Sequence, residues 1–193
     1  MSDKIYCYPN SNVLKNKLNI QNLDALHDAE RKLTALRLIE LLTKPAHGNF
    51  DFKHLQAIHK YIFQDIYEWA GKVRTVNIEK GNMFCNVLFI ESQAEEIFLK
   101  LKKDHCLNGM PYDDFVKKLA YYFSEINALH PFREGNGRSQ REFIRQLALK
   151  NGYIVNFRNT SEEEMLAASE QSFLCNYEPM EHLFRKCLST KKI

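Results

Sequence analysis

NALHPFREGNGRSQREF, residues 127–143, lies between two segments of helical pattern and fits neither. Upstream, YDDFVKKLAYYFSEINALH brings Phe115, Leu119, Phe123 and Ile126 to one face of an amphipathic helix. That helix must end near His130, because Pro131 disfavours helical geometry in the residue before it. Downstream, RSQREFIRQLALKNG restarts a helix at about Arg138, with Phe143, Leu147 and Ala148 apolar, and stops at Asn151 and Gly152. Between the two, Phe132 is apolar in a polar loop and anchors it. Glu134 supplies a carboxylate, and Gly135 and Gly137 permit close approaches that side chains forbid.

This arrangement has a chemistry. The free N–H groups and dipole of the second helix form an anion site at its N-terminus. Arg138, Arg141 and Arg145 are expected to project from one face of that helix. Arginine suits multidentate phosphate binding. A carboxylate beside bound phosphates suits Mg²⁺, which takes one or two carboxylates plus phosphate oxygens. His130 at the rim can act as a general base at neutral pH. A plain turn accounts for GNG alone, since Gly and Asn are ordinary loop residues. It does not account for a His, an acid and Arg residues around the same turn.

Working outward, the rest of the chain reads as mainly α with one hairpin. Leu23, Leu26, Leu33, Leu36 and Ile39 recur at helical spacing before Pro45. Asp51 can cap a second helix, FKHLQAIHKYIFQDIYEWAG, that runs to Gly71. KVRTVNIEKGNMFCNVLFI is rich in Val, Ile and Phe around Lys80-Gly81-Asn82, the pattern of two short strands. ESQAEEIFLKLKKDHCLNG is helical again up to Asn108 and Gly109. Ser161 and Glu164 form a capping box for a helix over residues 161–173, and a last helix covers about 178–188. His54 and His59 lack the i, i+4 spacing of a zinc helix, so His27, His54, His59 and His182 read as structural or surface residues.

The 193 residues contain 45% hydrophobic and 26% charged side chains, which excludes a disordered chain. A net charge of +3, with no basic run longer than the terminal TKKI, argues against direct nucleic-acid binding. Cys7, Cys85, Cys106, Cys175 and Cys187 are scattered with no C-x-x-C pair, which suits reduced thiols in a cytosolic protein. No apolar signal region opens the chain and no apolar run would span a bilayer. The expectation is a soluble and by default cytoplasmic protein with no membrane partner, secretion by a route without a cleaved signal being the alternative.

HPFREGNGRSQR resembles the signature of the Fic family, H-P-F-x-[D/E]-G-N-G-R-x-x-R, at every specified position. YEWAGKVRTVNIEKG is similar to that family's helix end and the hairpin called the flap. The resemblance implies a single helical Fic domain over residues 1–193. Its core is about 19–153, its flap about 74–90 and its C-terminal helices about 161–189. It also implies transfer of AMP from ATP to a hydroxyl side chain of a target protein. On that template His130 is the base, Glu134 holds Mg²⁺, and Gly135, Asn136 and Gly137 with the loop amides hold the α-phosphate. Arg138 meets the β-phosphate and Arg141 the γ-phosphate. Pro131 and Phe132 are structural. Ile78, Lys80 and Phe84 lie where the flap docks an extended target segment. Arg145 lies outside the signature and reads as a salt-bridging surface residue.

Gly137 bears on the activity class, because relatives with Lys at that place are associated with γ-phosphate transfer; Gly here favours AMP transfer. Many family members carry an inhibitory helix, [S/T]-x-x-x-E-[G/N], whose Glu pairs with the second signature Arg. Here residues 75–79 are followed by Lys80, 92–96 by Ile97 and 160–164 by Met165, so no segment completes the pattern. The resemblance therefore implies the toxin of a toxin–antitoxin pair, with a small antitoxin supplying a helix that engages Arg141. Type II topoisomerases are targets by analogy only. Alternatives are a transferase using another nucleotide or phosphodiester donor, a host-directed effector, and a non-catalytic module with a relic site.

Overall fold

The computed structural model describes residues 4–80 and 82–190, with main chain alone at 80, 82 and 83. Seven α-helices order the described residues: α1 Leu23–Thr43, α2 Phe52–Phe63, α3 Ile90–Lys103, α4 Tyr112–Leu129, α5 Asn136–Lys150, α6 Glu162–Phe173 and α7 Glu178–Cys187. None is long and apolar enough to cross a membrane.

α4 and α5 form the centre. α4 buries Phe115, Leu119, Phe123 and Ile126, the face read from its periodicity, and α5 buries Phe143, Ile144, Leu147 and Ala148. α2 packs on α5 through Leu55, Ile58, Ile62 and Phe63. Local chemistry starts these helices as expected. Asp51 accepts from the His54 N–H at 2.8 Å, and the Ser161–Glu164 capping box is formed in both directions.

Five expectations need correction. First, α1 buries Leu26, Glu30, Thr34 and Leu41, while Leu36 and Ile39 are exposed. Its inner neighbours include Arg138 and Arg145 of α5, so polar groups face inward there. Second, α2 stops at Phe63 rather than near Gly71. Beyond it the chain runs in tight turns, with the Ile66 N–H on the Phe63 carbonyl, the Ala70 N–H on that of Tyr67 and the Lys72 N–H on that of Trp69. Third, the flap is shorter than its Val and Ile content suggested. Strands β1 Glu79–Lys80 and β2 Asn82–Met83 pair antiparallel, with Gly81 outside the described residues. Fourth, a second antiparallel pair joins β3 Tyr153–Val155 to β4 Leu188–Thr190, so the chain leaves α7 as strand where helix was expected. Three residues per strand is too short for a readable alternation. The third helix also ends earlier than expected, at Lys103, and a 3₁₀ turn, His105–Leu107, continues it.

Candidate active site

The site is built at the junction of α4 and α5. His130 caps α4 in the left-handed region, with φ 45° and ψ 59°. Its Nδ1 lies 3.1 Å from the Asn127 carbonyl oxygen, which can only accept, so Nδ1 carries the proton. In the neutral ring Nε2 is then the basic nitrogen. The Phe84 ring of the flap stacks on the imidazole at 3.7 Å between centroids and 16° between planes.

The loop after His130 is held from below. Phe132 is buried and stacks on His59 at 3.8 Å. His59 Nδ1 accepts from the Gly71 N–H at 2.8 Å, so Nε2 carries the proton and donates to the Glu134 carbonyl at 2.9 Å. Burial pushes the His59 pKa down to about 3, so it is a neutral brace. Asn136 donates to the Phe132 carbonyl at 2.7 Å and accepts from its N–H at 2.8 Å. The amide oxygen and one amide hydrogen are thus taken up by the loop, which leaves the second amide hydrogen and the main-chain N–H as what Asn136 can offer a phosphate.

α5 begins at Asn136, two residues before the expected start, because Gly135 at φ 80° serves as N-cap with no side-chain cap. A Cβ at Gly135 would lie 2.1 Å from the Phe63 ring, so glycine is required there by space and by backbone. Glu134 is exposed, and its Oε1 accepts from the Gly135 N–H at 2.7 Å.

The three arginines do not share a face. Arg138 turns to α1, donates to Glu30 and to Thr34, and lies over the Phe63 ring at 4.7 Å. Arg145 turns the same way, paired with Glu142 and bonded to the Leu41 carbonyl. Arg141 points elsewhere, because residues seven apart nearly align on a helix while one three apart is offset by about 60°. It forms no hydrogen bond or ion pair among the described residues and lines a cavity of about 870 Å³ with His130, Phe84, Asn127 and α6. Burial, and then the charge of Arg138, lower its pKa, with Glu162 acting in the opposite sense. A Cβ at Gly137 would come within 3.2 Å of the Arg141 guanidinium.

Of the flap residues, Phe84 meets His130, Ile78 is half-buried, and the Lys80 side chain lies outside the described residues. Sequence reasoning missed Glu30, Tyr67 and Arg74. Glu30 is buried between Arg138 and the Tyr67 hydroxyl, and burial followed by that carboxylate raises the Tyr67 pKa. The available signal was a charged residue four positions from Leu26 and from Thr34 on the inward stripe of α1. Ser139 and Gln140, unspecified in the signature, are buried; Gln140 donates to the Phe123 carbonyl of α4.

Known proteins similar to this chain share its fold and the naming of their activity. The protein adenylyltransferase VbhT of Bartonella schoenbuchensis is 40% identical over 97% of this chain, which spans 40% of that relative's length. The "Probable protein adenylyltransferase Fic" of Salmonella typhimurium is 36% identical, with 98% of this chain and 97% of that protein covered. Among solved structures, the N-terminal Fic domain of a VirB-translocated Bep effector from Bartonella quintana, with bound ADP, superposes with a TM-score of 0.91. It has 30% identity, over 97% of this chain and 95% of that one. BepC of Bartonella tribocorum, with bound AMPPNP, gives 0.89 at 25% identity, over 97% of each chain. Residues 49–148 match the Fic/DOC family, and with the signature loop folded around His130 and Arg141 the chain belongs to that family.

Proposed function

We propose that this chain, read as one Fic domain, is a protein adenylyltransferase that moves AMP from ATP to a target hydroxyl. One observation carries the reading: His130, with Nε2 as its basic nitrogen, and Arg141, unpaired among the described residues, line one cavity of nucleotide size. The relatives named as adenylyltransferases, and those structures with bound ADP or AMPPNP, support the same reading.

His130 Nε2 takes the proton of the target hydroxyl as its oxygen attacks the α-phosphorus. The bond from that phosphorus to the bridging oxygen breaks, and pyrophosphate leaves. Arg141 neutralises charge at the far phosphates, and the α5 N-terminus offers first-turn N–H groups to the nearer ones. Glu134, an exposed carboxylate beside this N-terminus, fits a Mg²⁺ ligand completed by phosphate oxygens. The metal would supply charge neutralisation on those oxygens. Arg138 is committed to Glu30, so any contact with a β-phosphate is shared with that carboxylate. Ile78, Lys80 and Phe84 present the flap to an extended target segment.

We read the protein as cytoplasmic and as the toxin of a pair. No inhibitory pattern is complete in the sequence, and Arg141 has no carboxylate at bonding distance among the described residues. A separate antitoxin helix would engage Arg141. A second reading, a host-directed effector, is favoured by the likeness to VirB-translocated effectors.

The test is labelling with α-³²P-ATP in bacterial and in eukaryotic lysates. A labelled bacterial band, with type II topoisomerases as the first comparison, supports the toxin reading, and a band only in the eukaryotic lysate supports the effector. His130→Ala should cut labelling by about 100-fold or more while leaving the fold intact. Equal labelling by His130→Ala overturns the base assignment. Labelling from CTP, UTP or CDP-choline in place of ATP overturns the donor.

A further inference from the structure

His130 is not a glycine, yet it holds φ 45° and ψ 59°. Such a conformation costs on the order of 1 kcal/mol or more and persists only where surroundings enforce it. Two of its supports come from its own helix: its N–H donates to the Ile126 carbonyl and its Nδ1–H to that of Asn127. Further supports come from the segment that carries the flap.

Arg74 stands at the root of that segment and is 1% exposed. Its backbone N–H donates to the Pro131 carbonyl at 2.9 Å and its Nε to the His130 carbonyl at 2.8 Å. Its Nη1 donates to the Val76 carbonyl at 2.8 Å and its Nη2 to the Cys85 carbonyl. No carboxylate among the described residues pairs with it. A buried guanidinium satisfied by backbone carbonyls alone fixes main-chain positions rather than neutralising an acid. The carbonyls it joins are those entering the flap, leaving the flap, and belonging to the proposed base. The Cys85 N–H also donates to the Ala128 carbonyl at 3.0 Å, and the next flap residue back, Phe84, covers the His130 ring.

We propose that the flap, beyond docking a target, holds His130 in its base geometry: Arg74 is a positioning residue that fixes the His130 main chain, and Phe84 fixes its ring. A flap moved from its seat lets His130 relax from the left-handed conformation, and the Nδ1–H bond to Asn127 is lost with it. The proposal deepens the adenylyltransferase reading and rests on it for the consequence in activity, but not for the consequence in structure.

The experiment measures ¹⁵N signals of the His130 ring in the full chain, assigned by their loss in His130→Ala. Wild type is expected to show the Nδ1-protonated tautomer in the neutral ring. Arg74→Lys keeps the charge, but one ammonium cannot span the three carbonyls. It should give a mixture of tautomers, with AMP transfer in lysate down about 10- to 100-fold. Affinity for a fluorescent ATP analogue should stay within about twofold, since no group proposed to meet nucleotide is touched. Phe84→Ala, at a half-buried position, should give the same mixing and carries the test if Arg74→Lys fails to fold. A single Nδ1-protonated tautomer retained in a folded Arg74→Lys, or in Phe84→Ala when Arg74→Lys does not fold, overturns the proposal. Tautomer mixing in the variants with no AMP transfer by wild type would instead overturn the adenylyltransferase reading and leave the positioning role standing.

Discussion

Gly135 and His59 show how single residues hold the loop. Gly135 combines φ 80° with a Cβ position 2.1 Å from Phe63, and Phe63 is wholly buried and cannot give way cheaply. Gly135→Ala should therefore cost about 2–4 kcal/mol, strain and overpacking together, by urea unfolding. Gly109→Ala is the control: φ is 72° with nothing within 4 Å of the added Cβ, so only the backbone term of about 1–2 kcal/mol remains. His59 makes stability depend on pH. Unfolded, it takes a proton near its ordinary 6.5; folded, burial pushes it down to about 3. Between these values the unfolded chain binds a proton that the fold excludes, so stability falls as pH drops through that window. The slope from this group is up to about 1.4 kcal/mol per pH unit, and it vanishes above the unfolded value. His54, also lowered by burial, acts in the same sense. Unfolding of His59→Asn at a series of pH values should show a shallower acid slope than wild type. The signature residues were legible one by one, but the brace beneath them was not. His59, the second His of FKHLQAIHKYIF, reads as filler until Gly71 and Glu134 close on its two nitrogens.

At the scale of elements, α6 is tied to the site by its start. Its capping box sits beside Glu162, Met165, Leu166 and Ser169, which wall the cavity facing Arg141. Ser161→Ala should lower stability by about 1 kcal/mol in thermal unfolding. Because the loss falls on the cavity wall, affinity for a fluorescent ATP analogue should weaken by up to about fivefold. Helices α4, α5 and α6 were readable because their signals are local: a 3.6-residue apolar period, a cap, a Pro or a Gly at the end. The end of α2 and the span of the flap were less so. Ile66 and Tyr67 continue a hydrophobic pattern that suits a helix, and only the turn bonds from Ile66 to Phe63 and from Ala70 to Tyr67 show that the chain leaves it there.

Across the whole molecule, the first helix reports to the site through one charged cluster. Glu30 takes Arg138 on one oxygen and the Tyr67 hydroxyl on the other, and Thr34 adds a bond to Arg138. Removing one partner of such a mostly buried pair leaves a charge without compensation, so Glu30→Ala should cost about 2–4 kcal/mol. A double-mutant cycle with Arg138→Ala should return a coupling above about 1 kcal/mol, since the two side chains share partners. Additive losses would show that the contact is incidental. The amino-acid sequence by itself determined the central helices, the Asp51 and Ser161 caps of α2 and α6, the signature loop and the identity of the proposed base, acid and arginines. These rest on spacing and backbone geometry within a few residues. Only the tertiary structure decided which way each arginine turns, that Arg74 joins the flap to His130, and that β4 returns to β3. Glu30 and Arg138 stand 108 residues apart in the chain, and Arg74 and His130 stand 56 apart. Pairings at such separations leave no local pattern. They arise when packed helices bring distant polar groups into a region where water cannot satisfy them and only each other remain.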